Sequence, residues 1–481
     1  MSTLQPRLIE QPAASVRRFY LRLGLGAALI YLGFVPPGIY SIDGNSMLAV
    51  AESIVARHSL AVEPGLGSPG LHQQFYSLWY PLQSALAVPF IAVAFAVAHL
   101  SHLPFHYCAA VFGLTLEALI MAATVVAVGG LAMHLGANPV DARFAALVFG
   151  FGTIAPAYAR SFFAEPLLAL ITALALWLAF AGRPVNAGVA GMLAVLAKPP
   201  GIIVGPILSL YTWAGKKAWL WIAPAAGTAV GVVAYCAYNE VRFGRFLFLA
   251  AHPAVAEMRL AAAPAGVVGL LLSPGFGLLW FCPVVIAATA GLVVGVKKRP
   301  KETVATAAVC LSYLGIYGSW TAWQGGWSWG PRFLLPVLPI LIPFVALLSG
   351  RWRKVALWLA LAGFLASAPT WICFYERAFA ERPQAQQGWS VSDSALVRIW
   401  PAALHELQDA YTTDPRMLIR QAEEEHSPSH TVETSRALRV VAVWWWLLPA
   451  AHVPRWIGAI FSLVLAAVGL FLLRISALPP P

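Results

Sequence analysis

Long apolar runs recur along this chain, near residues 19–40, 79–100, 105–134, 142–159, 164–182, 186–198, 200–214, 218–238, 275–296, 303–322, 332–349, 354–373 and 455–474. Crossing the hydrocarbon core of a bilayer takes about 20 helical residues, and many of the runs reach that length. No stretch shows the short alternating strands of a membrane barrel. Of the 481 residues, 60% are hydrophobic and 11% charged, with a mean hydropathy of +0.74, whereas soluble domains carry roughly a quarter charged residues. These features predict an all-α polytopic membrane protein with about 11–14 transmembrane helices, since helices satisfy every backbone polar group internally. The first run, Phe19 to Tyr40, ends without a small-residue cleavage pattern and reads as a retained anchor.

The net charge of +11 does not point to nucleic acid, because the basic residues sit in short clusters between apolar runs. Arg17/Arg18/Arg22, Lys216/Lys217, Lys297/Lys298/Arg299/Lys301 and Arg351/Arg353/Lys354 read as cytoplasmic topology marks. They place residues 1–18 inside as a tail and residues 41–78 outside as the first loop. Counting back from Lys216/Lys217 puts Lys198 outside, Arg183 inside, and Arg160 with Glu165 outside. Counting forward from the first run misses this by one crossing, so a re-entrant or split helix is expected within 79–134. Residues 19–375 form one transmembrane module. Residues 376–440 hold 10 of the 20 acidic residues and 7 arginines and read as an extracytoplasmic loop. Residues 441–481 return through Trp444–Trp446 to a last helix and short tail. Cys108, Cys236, Cys282, Cys310 and Cys373 lie in or at the edges of apolar runs without CxxC spacing, as small buried hydrophobes rather than disulfides or metal ligands.

The chemistry is expected where charge meets an apolar helix end, because charge at membrane depth is costly and pairs or lines a cavity. Asp43 stands at the outer end of the first run. It opens GNSMLAVAESIVARH, whose Met47, Leu48, Ala51, Ile54 and Val55 are spaced for an amphipathic helix on the interface. Asp before Gly-Asn-Ser is also a good helix cap, so capping competes with catalysis at Asp43. The same outer face collects the Arg160/Glu165 pair of YARSFFAEPLL, Lys198 of AVLAKPPG, and Arg332 of WTAWQGGWSWGPRFLLPVLP. The bland alternatives are a local salt bridge for the pair and snorkelling for Lys198. Together the residues suit sugar transfer from a polyprenyl-phosphate carrier. Asp43 is the base that deprotonates an acceptor hydroxyl, while Arg332, Lys198 and Arg160 clamp the departing phosphate, arginine best because its fork matches phosphate oxygens. The Gly325-Gly326 turn among Trp320, Trp323, Trp327 and Trp329 gives indole faces for a sugar ring, or else an aromatic belt at the interface.

An acidic motif follows the first run, then an aromatic approach to the second (FYSLWYPLQSALAVPF), ARSFFAEP, Lys-Pro-Pro-Gly, YNEVRFG, LLSPGFGLLWFCP and W-x-GG-x-S-x-G-P-R-x-L-x-P. In this order, over residues 15–375, the motifs resemble those of the GT-C membrane glycosyltransferases, which include aminoarabinose transferases, protein O-mannosyltransferases and their bacterial relatives. The resemblance implies an inverting transferase in a bacterial cytoplasmic membrane, its site facing outside, with a polyprenyl-phosphate sugar donor and membrane lipids as partners. It places the proposed base on Asp43 and the second acidic motif on Glu165, and adds Tyr80 and Asn239 to the substrate contacts. The residues themselves call for no cofactor and no metal; the resemblance leaves room for a divalent ion. The chain departs from the family pattern in having Asp-Gly where many members have Asp-Glu, and in lacking the lysine that aminoarabinose transferases carry in the approach to the second helix. A transporter or flippase, for which a broken helix at Lys198-Pro199-Pro200 also speaks, and a glycan polymerase or ligase are the competing functions.

Overall fold

The computed structural model describes residues 13–101, 103–213, 219–247, 257–380, 388–412, 414 and 442–477. Most of the expected cytoplasmic tail (1–12), Lys216 and Lys217, and much of the expected outer loop (381–387, 413 and 415–440) lie outside the described residues. The architecture is all-α. Among the described residues, five helices are long and apolar enough to cross a membrane: Pro81–Ser101, Phe105–His134, Leu220–Phe243, Gly350–Trp371 and Arg455–Ile475. Shorter apolar helices, Ala164–Phe180, Pro184–Ala197, Leu260–Leu272 and Arg332–Leu347, lie among them. This is an integral membrane protein, and leucines, valines and tryptophans of its outer helices stay exposed, as lipid-facing residues do.

Helix α1 (Ala13–Gly33) stops short of the expected Tyr40, because Pro36-Pro37 can neither donate backbone hydrogen bonds nor let the preceding residue stay helical. Helix α2 (Ile42–Arg57) follows, and its N-cap is Ser41, whose hydroxyl accepts from the Gly44 N–H. Asp43 is therefore not the cap. The apolar residues of α2 pack into the bundle instead of lying on the interface: Met47, Leu48 and Ala51 are buried in the main core, and the Met47 carbonyl accepts from Ser84 of α3 (Pro81–Ser101). Between α2 and α3 the Gly/Pro-rich turn folds as a small antiparallel sheet, ordered β1–β3–β2 (Ala61–Val62, Phe75–Tyr76, Ser68–Pro69). No periodicity announced these two-residue strands.

Among the described residues of 79–134 neither helix is split: α3 and α4 (Phe105–His134) are each continuous. The breaks fall elsewhere. The run at 142–159 divides after α5 (Pro139–Gly152), and the one at 275–296 divides at Cys282-Pro283. The helix Ala263–Leu272 falls in a stretch where none was expected. Residues 332–347 do not form one regular helix but alternate 3-10 and α turns, since Pro336, Pro339 and Pro343 remove ladder donors. This segment is buried nearly throughout and begins at Arg332, so its irregular backbone lies within protein, where the membrane tolerates it.

Candidate active site

Four of the charges expected on one face converge. The Arg332 Nη1 lies 2.9 Å from the Asp43 Oδ2, and its Nε lies 3.7 Å from the Glu165 Oε1. The Lys198 Nζ donates to the same Glu165 oxygen at 2.5 Å. The result is a chain of alternating charge, Asp43–Arg332–Glu165–Lys198, drawn from the start of α2, the head of 332–347, the first turn of Ala164–Phe180, and the turn after Pro184–Ala197. Glu165 is 2% exposed. It takes its cations from Lys198 and Arg332, so the local Arg160–Glu165 bridge is not what holds it. Aromatic faces complete the surroundings. The Arg332 guanidinium sits 4.5 Å from the Phe163 ring centroid and 5.0 Å from that of Phe333, and the Lys198 ammonium sits 4.7 Å from Phe333; such contacts favour a cation held away from water.

Local sequence explains why these side chains meet. Pro199-Pro200 ends a helix at Ala197 and leaves Lys198 extended, facing Glu165. Gly325 has φ +78°, and a Cβ there would lie 3.0 Å from the Arg332 Nε; glycine is required both for the turn and for the approach. At Gly44 a Cβ would come within 2.5 Å of the Phe162 carbonyl oxygen. The departure from Asp-Glu to Asp-Gly thus coincides with packing that leaves no room for a side chain.

Arg332 lines two cavities. The first, of about 280 Å³, is mainly aromatic and apolar and is bounded by Tyr80, Lys198, Tyr235, Tyr317, Trp320 and Phe333, among others. The second, of about 370 Å³, is bounded by Tyr40, Ser41, Asp43, Phe163, Gly325, Gly326, Trp327 and Glu376. Tyr80 and Trp327 therefore each border a cavity. Trp323 lines neither; its ring packs edge-on to Phe276 and Trp389. Trp329 offers no face to a ligand, being wholly buried with its N–H donating to the Ser367 hydroxyl and its carbonyl accepting from Tyr158. Arg160 is directed elsewhere than the clamp, donating to the carbonyls of Phe34 and Ala442 and so tying the end of α1 to the returning segment. Asn239 accepts from Arg242, which also donates to the Ser77 carbonyl; YNEVRFG is thereby tied to the segment between α2 and α3.

Glu376 went unnoticed in the sequence. It is 5% exposed and faces Asp43 and Arg332 across the second cavity. Burial pushes its carboxyl up to about 7, a rise that hydrogen bonds from its own backbone and Tyr375, and the charge of Arg160, only partly offset. The signal was available: it is the first acidic residue after an apolar run, hidden by the many acidic residues that follow. Among the described residues no group of three His, Cys, Asp or Glu side chains comes together, and Asp43 and Glu165 both face cations.

No protein-family model matches the chain, and no curated protein matches it in sequence. Solved structures resemble it in fold. The apo structure of ArnT from Cupriavidus metallidurans aligns with a TM-score of 0.51 at 14% identity, covering 97% of this chain and 78% of that one. The same protein bound to undecaprenyl phosphate aligns with a TM-score of 0.49 at 14% identity, covering 97% and 76%. The archaeal oligosaccharyltransferase AglB from Archaeoglobus fulgidus, in complex with an inhibitory peptide and a dolichol-phosphate, aligns with a TM-score of 0.44 at 13% identity, covering 78% and 60%. The chain shares its all-α membrane fold with apo ArnT.

Proposed function

We propose that this protein transfers a sugar from a polyprenyl-phosphate-linked donor to a hydroxyl group of a lipid, glycan or protein acceptor, on the extracytoplasmic side of a bacterial cytoplasmic membrane. The observation that carries the reading is the position of Arg332, which lines both cavities and pairs with Asp43 in one while Lys198 stands in the other. The aromatic cavity takes the phosphate and first isoprene units of the donor; the cavity beside Asp43 takes the acceptor. Asp43 accepts the acceptor's hydroxyl proton as that oxygen bonds to the anomeric carbon and the bond from that carbon to the phosphate oxygen breaks, with inversion. Polyprenyl phosphate leaves with one more negative charge, borne by Arg332 and Lys198, which are held in place before the charge develops. In the free protein Arg332 grips Asp43, so an arriving phosphate competes for the guanidinium and releases the base only when the donor is present.

The test is Asp43→Asn. The Ser41 cap is untouched by it, so the variant should fold with a melting temperature near that of the parent. Its transfer rate should fall about 100- to 10,000-fold, the usual contribution of a general base. A stable variant with near-normal transfer would remove Asp43 from the chemistry.

A further inference from the structure

We infer that the acceptor is an uncharged or cationic hydroxyl-rich molecule, such as a neutral sugar or amino sugar, and that Glu376 selects it by accepting hydrogen bonds from its hydroxyl or amine protons while repelling acceptors that carry phosphate. The inference rests on the sugar-transfer reading and concerns the acceptor cavity alone. Among the described residues, the charged groups lining that cavity are two carboxylates, Asp43 and Glu376, against one guanidinium, that of Arg332. That guanidinium is already paired with Asp43 at 2.9 Å and shared with Glu165. The other cation of the cluster, Lys198, faces the first cavity and is engaged by Glu165. Among the described residues, once the donor phosphate occupies Arg332, an anionic acceptor would meet no unshared cation and two carboxylates, where repulsion is poorly screened.

The remaining wall suits a sugar. The Trp327 ring is stacked over Phe379 at 6.4 Å between centroids, giving a rigid indole edge to the cavity. Ser41 and Tyr40 add hydroxyls, and Gly325 and Gly326 add backbone without side chains. The groups around Glu376 are Tyr375 and Tyr158 on its own side, Arg160 behind it, and Asp43 with Arg332 across the cavity. Tyr375 is fixed by the Ser161 hydroxyl at 3.1 Å, and Arg160 by the Phe34 and Ala442 carbonyls. Neither tyrosine supplies a cation, and Arg160 does not line the cavity. Because the Glu376 carboxyl titrates near 7, repulsion of anions is present above that pH and is lost as the carboxyl protonates below it.

The experiment uses the full chain in nanodiscs saturated with undecaprenyl phosphate, with methyl β-glucoside, methyl β-glucosaminide and methyl β-glucoside 6-phosphate as probes read by saturation-transfer NMR. At about pH 8 the two phosphate-free sugars should bind at least about tenfold more tightly than the phosphate ester, and the gap should close at about pH 6. Glu376→Gln should close it at both pH values, whereas Glu376→Asp, which keeps the charge, should retain it. Equal or tighter binding of the phosphate ester to the parent protein at the higher pH, no sugar binding at all, or full discrimination in Glu376→Gln would each overturn the inference. If the Gln variant does not fold, Glu376→Ala, which also removes the charge and should also close the gap, decides in its place. Undecaprenyl phosphate binding in the same samples separates the two levels: its loss counts against the sugar-transfer reading, and its retention with failed discrimination counts against the acceptor class alone.

Discussion

Arg332→Lys keeps the charge at the centre of the cluster and changes its shape. The guanidinium meets Asp43 through one nitrogen and Glu165 through another, and lies beside the rings of Phe163 and Phe333. A lysine ammonium is a single point on a flexible stem and can reproduce only one of these contacts at a time. The positive charge remains to balance Asp43 and Glu165, so folding should be nearly intact, with a stability loss of about 1–2 kcal/mol from lost packing and one charged hydrogen bond. Catalysis should suffer more. Removing one preorganised donor from a developing oxyanion typically costs about 100- to 1,000-fold in kcat, or about 2.7–4 kcal/mol. Transfer from a radiolabelled polyprenyl-phosphate sugar, measured beside the melting temperature in detergent, separates the two effects. A Lys variant that is stable and turns over within about threefold of the parent would refute the bidentate grip and reduce Arg332 to charge balance.

Lys198→Gln should leave Glu165 with Arg332 alone at 3.7 Å and destabilise the protein by about 3–5 kcal/mol, while a Lys198→Met/Glu165→Leu double variant recovers stability without activity; detergent melting curves check both. Gly325→Ala and Gly326→Ala each place a side chain at positive φ, at about 1–2 kcal/mol, but only Gly325→Ala crowds Arg332, Gly326 having open space, so transfer assays should show loss in the first variant alone. Single cysteines at Ser68 and Ser392 should react with an impermeant maleimide in spheroplasts, as outward-facing loops require; labelling of both only after lysis would reverse the orientation.

The sequence made the bundle legible because apolar runs bounded by basic clusters have few other uses. It also brought Asp43, Glu165, Lys198 and Arg332 under one heading, through the cost of charge at membrane depth rather than through local pattern. What it could not resolve was pairing. Arg160 and Glu165 are five apart and invite a local bridge, yet Glu165 takes distant partners 33 and 167 positions along the chain. The tryptophan cluster misled for a related reason. Indoles spaced two to four residues apart in a glycine-rich turn point in different directions, so Trp327 borders the cavity while Trp329 goes to the core. The helix breaks depended on which prolines fell inside packed segments. Glu376 needed the fold to bring it beside Asp43, since 333 residues separate them.

The buried charge chain itself argues against a purely structural origin. Taking Glu165, Lys198 and Arg332 out of water is expensive, and apolar side chains of similar volume commonly serve stability as well or better. The bundle has such packing in quantity around Leu167, Leu168, Phe333 and Leu335, all nearly or wholly buried. Within the chain of charges one donor is left over: the Arg332 Nε is buried without a hydrogen-bond partner, 3.7 Å from the Glu165 oxygen that Lys198 already takes. Buried donors are almost always satisfied, and this one belongs to the side chain shared by both cavities. An anion with several oxygens placed against Arg332 would satisfy it and loosen the hold on Asp43 in the same movement. In the proposed reaction this couples the two cavities: the phosphate of one substrate would complete Arg332, and the carboxylate set free would act on the other.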